Sequence, residues 1–129
     1  MTDILLDVRR RVRKAKFRPS WQRVNGGVLV GRRIFVNRGA PAFRSMIAGI
    51  YDQFFYDYLR EMDIDGATVV DVGAHIGYHT LCFACLVGET GQVVSFEPNP
   101  YNLERIRLNL SENMDLQGRV YLMDVALSN

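Results

Sequence analysis

An acidic residue and two glycines lie close together at the end of an apolar run. Residues 69–78 are VVDVGAHIGY, in which Asp71 precedes Gly73, and Gly77 follows four residues after Gly73. Gly73 permits a sharp turn and lets a ligand approach the backbone, and Gly77 is expected to allow close packing of the helix on the strand. A helix after such a turn offers free N–H groups to a polar ligand. The carboxylate of Asp71 would repel pyrophosphate but would suit a ligand that carries an ammonium and a sulfonium. The segment therefore predicts a ligand-binding turn between a strand and a helix.

The spacing of these glycines differs from that of a dinucleotide-binding turn. The pattern is G-x-x-x-G, and His75 stands where a middle glycine would let a pyrophosphate lie against the backbone. An NAD-linked oxidoreductase is therefore a disfavoured alternative. Many α/β proteins have a similar turn that binds nothing, so the interpretation depends on Asp71 and on the acidic residues further along the chain.

Two more carboxylates follow predicted strands. Glu97 comes 20 residues after Gly77 in the segment VVSFEPNP, where a carboxylate can accept hydrogen bonds from both hydroxyls of a ribose. Pro98 and Pro100 stiffen the loop that would lie against an adenine. Asp124 comes just after a third strand and could accept a hydrogen bond from an adenine amino group, although an ordinary turn residue remains an alternative.

The elements that must position these residues alternate between strand and helix. Strands are predicted at Thr68–Val72, Gln92–Phe96 and Val120–Met123, with helices over residues 76–87 and 100–113. Short and almost wholly apolar strands are typical of a parallel sheet that is buried on both faces. The βαβαβ order is half of a doubly wound sheet, so we predict an α/β, Rossmann-like fold.

The N-terminal part of the chain is strongly basic. Residues 1–44 hold 12 Lys and Arg against 2 Asp, a balance of +10, whereas residues 45–129 hold 4 basic and 12 acidic residues, a balance of −8. The spacing of the apolar residues over 3–16 predicts a short amphipathic helix with a cationic face. Such an arm can meet phosphate, an anionic membrane or the acidic half of its own fold, and charge alone does not choose among them.

A hairpin and aromatic helices are predicted next. The runs at 28–30 and 33–36, with Gly31 leading a two-residue connection, favour a type II′ hairpin. Helical spacing over 42–62 predicts one helix, or two that are separated at Gly49. Four aromatic residues are expected to dock this helix on the sheet rather than to stack on bases: Phe54, Phe55, Tyr56 and Tyr58.

Two paired motifs are expected to be structural. His75 and His79 lack a third ligand at a plausible spacing, so we interpret them as ordinary polar positions rather than a metal pair. Cys82 and Cys85 lie inside an apolar helix, which favours two buried core thiols over a redox motif. With no apolar run near the ~20 residues that span a bilayer and no signal-peptide pattern, we expect a soluble, cytoplasmic chain.

The three ligand-binding segments, in this order and spacing, resemble class I S-adenosylmethionine-dependent methyltransferases. More narrowly, VVDVGAHIGYHT, VVSFEPNP and VALSN resemble the FkbM family. The resemblance covers residues 66–129, which implies the first half of the methyltransferase domain, with strands in the order 3-2-1. Residues 1–65 would then be a separate part made of the basic helix, the hairpin and the aromatic helix.

The resemblance also implies roles for individual residues toward S-adenosylmethionine. It implies Asp71, Gly73 and Gly77 around the methionine moiety, Glu97 at the ribose and Asp124 near the adenine. Four neighbours complete the predicted cofactor site: Ala74, His75, Asn99 and Val125. No catalytic residue is assigned, because no histidine has an identifiable acceptor beside it.

The resemblance implies methyl transfer to an oxygen of a sugar or another small metabolite. In the family, strands 4 to 7 and an acidic motif after strand 4 complete the acceptor side, whereas this sequence ends after the third strand. We therefore expect this chain alone to be inactive and to self-associate through the unpaired edge of its first parallel strand. A non-catalytic or truncated remnant, and a nucleic-acid methyltransferase that uses the basic arm, remain open alternatives.

Overall fold

The computed structural model describes residues 18–128. The elements in chain order are β1 (Pro19–Arg23), β2 (Arg33–Asn37), α1 (Pro41–Ala48), α2 (Gln53–Met62), β3 (Thr68–Val72), α3 (Tyr78–Leu86), β4 (Gln92–Phe96), α4 (Pro100–Glu112), α5 (Met114–Gln117) and β5 (Val120–Met123). The predicted basic helix over 3–16 lies outside the described residues.

Three strands form the parallel sheet that the sequence predicts. Their order is β3-β4-β5, with Val69 opposite Val93 and Val93 opposite Val120. The α/β class and the bounds of all three strands are confirmed. Because β4 is the central strand, Val93 and Ser95 are both fully buried.

The expectation that these strands are buried on both faces is wrong for the described part of the chain. Both crossovers run in the same direction along the sheet, so right-handed connections place α3 and α4 on one face. Side chains on the other face of the sheet are exposed, among them Val70 at 56%, Val72 at 62% and Tyr121 at 55%. The sheet is therefore covered on one side only among the described residues.

The hairpin exists, but its first strand is not the predicted one. β1 pairs antiparallel with β2, and Trp21 lies opposite Phe35. Residues 28–30 instead form turns in the connection, where Leu29 is fully buried and only 1% of Val24 is exposed. These two side chains belong to the hydrophobic core, so apolar character here reflects burial of a loop rather than strand pairing.

Two separate helices precede the parallel sheet, so the predicted alternative of two helices separated at Gly49 is confirmed. Gly49 ends α1 with a φ of +78°, and a Cβ there would lie 2.0 Å from the carbonyl oxygen of Gly26. On α2 only Tyr56 is buried, and its ring packs against Phe83 of α3 with the centroids 6.3 Å apart. The expectation that four aromatic residues dock on the sheet is therefore wrong, since Phe54 is 93% exposed.

Ion pairs join the basic hairpin to acidic side chains near the end of α4. Arg32 contacts Asp115 at 2.7 Å, and Arg33 contacts Glu112 at 2.8 Å. One hydrophobic cluster includes residues from both halves of the chain. The division into residues 1–65 and 66–129 stays a prediction. Within the described residues, no helix is long and apolar enough to cross a membrane.

Candidate functional site

The turn between β3 and α3 leaves space beside its first glycine. Gly73 has a φ of +77°, and a Cβ built on it would meet no atom within 4 Å. The N–H groups of Gly73 and Ala74 both donate to the carbonyl oxygen of Phe96, at 2.8 and 3.0 Å. The turn is thus fixed to the end of β4 while its outer side stays open to a ligand.

The second glycine of the turn has a packing role. Gly77 has a φ of +84°, and a Cβ there would lie 3.2 Å from two side-chain carbons of Ile106. The close approach is therefore between the start of α3 and the helix α4. The sequence-based expectation that Gly77 packs a helix on a strand is corrected accordingly.

Glu97 is held by two backbone donors from two different loops. Its Oε2 accepts from the N–H of His75 at 2.8 Å, and its Oε1 accepts from the N–H of Asn99 at 2.9 Å. Burial opposes ionisation, but the hydrogen bonds from Asn99, His75 and Asn102 prevail and lower the pKa of Glu97. The carboxylate is therefore ionised at neutral pH and retains lone pairs for further hydrogen bonds.

Asp71 belongs to a buried polar network rather than to the open side of the turn. Its Oδ2 accepts from the hydroxyl of Thr80 at 2.6 Å, and that hydroxyl also lies 3.0 Å from the hydroxyl of Ser95. Burial raises the pKa of Asp71, and the negative charge of Glu97 acts in the same direction. Asp71 thus fixes the first turn of α3 to the sheet, and its contact with a cofactor stays a prediction.

The remaining predicted residues lie at the same end of the sheet. The side chain of Asn99 accepts from the N–H of Tyr101 at 2.9 Å and so caps α4. Asp124 and Val125 are exposed directly after β5, where the N–H of Glu97 donates to the carbonyl oxygen of Met123 at 3.0 Å. The structure therefore brings the glycine turn, the Glu97 loop and the end of β5 to one edge.

The paired histidines and the paired cysteines have neighbours that fit a structural role. His79 contacts the hydroxyl of Tyr56 through Nδ1, and its Nε2 lies 3.3 Å from Asp52. Among residues 18–128, no group of three or more side chains could hold a metal ion. Both cysteines are free thiols; Cys82 is buried and Cys85 half-buried. Burial raises the pKa of Cys82 to about 12, so the thiol is unreactive at neutral pH.

Asn109 links three elements and was not singled out from the sequence. Only 1% of it is exposed, its Oδ1 accepts from the N–H of Phe35 at 2.6 Å, and its Nδ2 donates to the carbonyl oxygen of Ile76 at 2.9 Å. The sequence did contain an indication of this role, because Asn109 is a polar residue three positions after Ile106, on the buried side of α4. Through Asn109, the hairpin is connected to the glycine turn.

With this geometry established, comparison with known proteins identifies the family. Residues 43–124 match the family model of protein-L-isoaspartate(D-aspartate) O-methyltransferase. The chain belongs to this family. A curated protein-L-isoaspartate O-methyltransferase from Caenorhabditis elegans is 38% identical over 72 residues, which covers 53% of this chain and 32% of the relative. The chain therefore matches about a third of that relative's length.

Solved methyltransferase structures share the fold. A putative rRNA-methylase from Clostridium thermocellum is 30% identical, with a TM-score of 0.52 over 57% of this chain and 39% of its own. The putative methyltransferase yhhF from Escherichia coli is 18% identical, with a TM-score of 0.58 and coverages of 83% and 54%. TYW2 from Pyrococcus horikoshii, in complex with MeSAdo, is 17% identical, with a TM-score of 0.56 and coverages of 85% and 37%.

The prediction of a class I S-adenosylmethionine-dependent methyltransferase is confirmed by the family and its structural neighbours. S-adenosylmethionine is the cofactor of this class. The described residues fit it, because Gly73 leaves space beside the backbone and Glu97 is a fixed, ionised acceptor. The narrower resemblance to the FkbM family stays a prediction.

Proposed function

We propose that this chain carries the S-adenosylmethionine-binding half of an O-methyltransferase. The observation that carries the proposal is the carboxylate of Glu97, held between the N–H groups of His75 and Asn99 at the carboxyl edge of the sheet. A carboxylate fixed in this way needs no reorganisation to accept two further hydrogen bonds from the hydroxyls of a ribose.

The other residues of this edge have separate tasks. The space beside Gly73 admits the methionine moiety, and the negative charge of Asp71 favours its ammonium and sulfonium groups. Asp124 and Val125, which are exposed at the end of the neighbouring strand, would meet the adenine. The bound cofactor supplies a methyl group on a sulfonium for in-line displacement. The chain's contribution is to hold that group in the geometry of attack.

We propose that the acceptor atom is the oxygen of a sugar or small-metabolite hydroxyl, as the resemblance to the FkbM family implies. The name of the Caenorhabditis elegans relative supports a second candidate, a carboxylate oxygen of an isoaspartyl residue. The two products differ chemically, because a methyl ester releases methanol in alkali whereas a methyl ether is stable. Transfer of labelled methyl by a protein in which this chain is joined to the remaining strands of the domain, followed by alkaline treatment, therefore distinguishes them.

The cofactor assignment is tested by titrating S-adenosylmethionine into the purified chain in a calorimeter. Glu97→Gln removes the charge that strengthens both ribose hydrogen bonds, and we expect the affinity to fall at least ~10-fold. Glu89→Gln is the matched control, because Glu89 is exposed in the turn before β4, at the other end of the strand. Unchanged affinity in a folded Glu97→Gln chain would overturn the ribose assignment.

A further inference from the structure

Two hollows that share Tyr101 and Arg105, together called the groove, extend from the hairpin toward the glycine turn. Its larger part, of about 560 Å³, lies between β2 and α4 and is lined by Phe35, Tyr101, Arg105 and Arg107 among others. A second hollow of about 260 Å³ shares Tyr101 and Arg105 with the first and extends to His75. A ligand that follows the groove would therefore reach the turn that is hydrogen-bonded to the carboxylate of Glu97.

The groove carries positive charge that its own acidic residues do not neutralise. Arg105 and Arg107 line it together with a single carboxylate, Glu104. Within residues 18–128, neither arginine forms an ion pair, and the guanidinium of Arg105 lies 5.3 Å from the ring centre of Phe35. Their charges thus remain available to an anionic ligand.

The end of the groove near the glycine turn is also basic. Pro19 and Asn37 lie opposite each other in the hairpin and line the second hollow. The neighbouring Arg18 and Arg38 are exposed. A ligand with several negative charges in a row would match this distribution.

The groove also offers an aromatic ring. Tyr101 is 80% exposed where the two hollows meet. The chain's only lysines are residues 14 and 16, so from residue 18 onward every basic side chain except histidine is an arginine. The arginine guanidinium forms paired hydrogen bonds with phosphate and stacks on bases. Exposed rings between arginines suit unpaired nucleotides, whereas an acidic peptide would use the charge and leave the ring without a stacking partner.

We infer that this groove binds single-stranded RNA, with phosphates on the arginines and a base on Tyr101. RNA follows from the sugar hydroxyl proposed above as acceptor, which ribose supplies. Its role as methyl acceptor and the choice of RNA over single-stranded DNA therefore rest on the proposed function, whereas the binding of a single strand does not.

Binding is tested by fluorescence anisotropy of a labelled, unpaired RNA oligonucleotide with the whole 129-residue chain and no cofactor. The logarithm of affinity should fall linearly with the logarithm of the salt concentration. Phosphate contacts of the arginines in the described residues should contribute about −2.8 to this slope, at ~0.7 per contact on a single strand; the four are Arg18, Arg38, Arg105 and Arg107. Arg107→Gln should reduce the magnitude of this slope by about 0.7. Arg60→Gln is the control, since Arg60 lies on α2 and pairs with Asp57.

Tyr101→Ala should weaken RNA binding by about 5- to 150-fold through lost stacking, while leaving the salt slope unchanged. Two results would overturn the inference. One is an RNA affinity of Tyr101→Ala equal to that of the wild type, and the other is competition by polyglutamate as strong as competition by unlabelled RNA. Calorimetry with S-adenosylmethionine separates the two proposals. Absent RNA binding with Glu97-dependent cofactor binding refutes only the groove, and RNA binding without cofactor binding refutes only the proposed function.

Discussion

The backbone N–H of His75 donates a hydrogen bond of 2.8 Å to the side chain of Glu97, across 22 positions of the sequence. His75 adopts a φ of +53°, a conformation uncommon for a residue with a side chain. Since Glu97 also accepts from the N–H of Asn99, one carboxylate joins the two loops at the carboxyl edge of the sheet. The charge state of this carboxylate therefore affects both the site and the fold.

Acid should destabilise the chain through Glu97. Its pKa in the folded chain is lowered from the ordinary value of 4.5, so the stability it contributes is complete above that value. That stability is lost as the pH falls through the folded pKa. Thermal melts below about pH 4.5 should show a steeper loss in the wild type than in Glu97→Gln, with Glu89→Gln behaving like the wild type. Parallel curves for all three chains would contradict the role of the Glu97 carboxylate in joining the loops.

Asp71→Asn should have the opposite dependence on pH. Burial raises the pKa of Asp71 above the ordinary 3.8, so its ionised form disfavours folding once the pH has risen through the folded pKa. An asparagine oxygen can still accept from the hydroxyl of Thr80. We expect Asp71→Asn to gain stability relative to the wild type on going from about pH 4 to about pH 7, while cofactor affinity falls. Melting curves and calorimetry test the two effects, and a constant stability difference would refute the first.

Gly73→Val should abolish cofactor binding. Gly73 has a positive φ, which strains a β-branched residue, and the new side chain would fill the space beside the turn. Gly118→Val is the control, because Gly118 has a φ of −65° and a Cβ at that position would meet nothing within 4 Å. Circular dichroism should show retained helix in both variants. Near wild-type affinity in folded Gly73→Val would remove this glycine from the site.

Deleting residues 1–17 should weaken RNA binding and leave cofactor binding nearly unchanged. The segment carries a net charge of +4 (6 basic minus 2 acidic residues), so its loss should weaken RNA binding and flatten its salt dependence. Cofactor affinity should stay within ~3-fold, because the N–H groups of His75 and Asn99 already hold the carboxylate of Glu97 in place. A larger loss in calorimetry would show that this segment contributes to the cofactor site.

Within residues 18–128, β3 has no strand paired with its outer edge, which predicts self-association of the 129-residue chain. An edge strand with exposed apolar side chains is a template for pairing with another chain, and lysine discourages such pairing. Val72→Lys should therefore shift gel-filtration elution toward the monomer. Val30→Lys is a matched control, since Val30 and Val72 are both 62% exposed but Val30 lies in the hairpin connection. A wild-type chain that elutes as a monomer would contradict this expectation.

The parallel strands were predictable to the residue because short β-branched runs are bounded by glycine and polar turns. The hairpin was not, since β1 contains a proline and polar residues, and its pairing depends on the contact of Trp21 with Phe35. The location of the proposed site residues at one edge of the sheet was predictable from their order along the chain, whereas their contacts with a cofactor stay a prediction. The hydrogen bonds that hold Glu97 and those of Asn109 were not, because they join segments distant in sequence.

The buried amide of Asn109 is hydrogen-bonded both to the wall of the groove and to the glycine turn, so we expect binding at one to affect binding at the other. Its oxygen holds β2 and its nitrogen holds the backbone of the turn at Ile76, so the hairpin cannot shift without changing a bond at the turn. Such coupling is reciprocal. If the bound cofactor changes the affinity of the groove for RNA by some factor, bound RNA changes the affinity for the cofactor by the same factor.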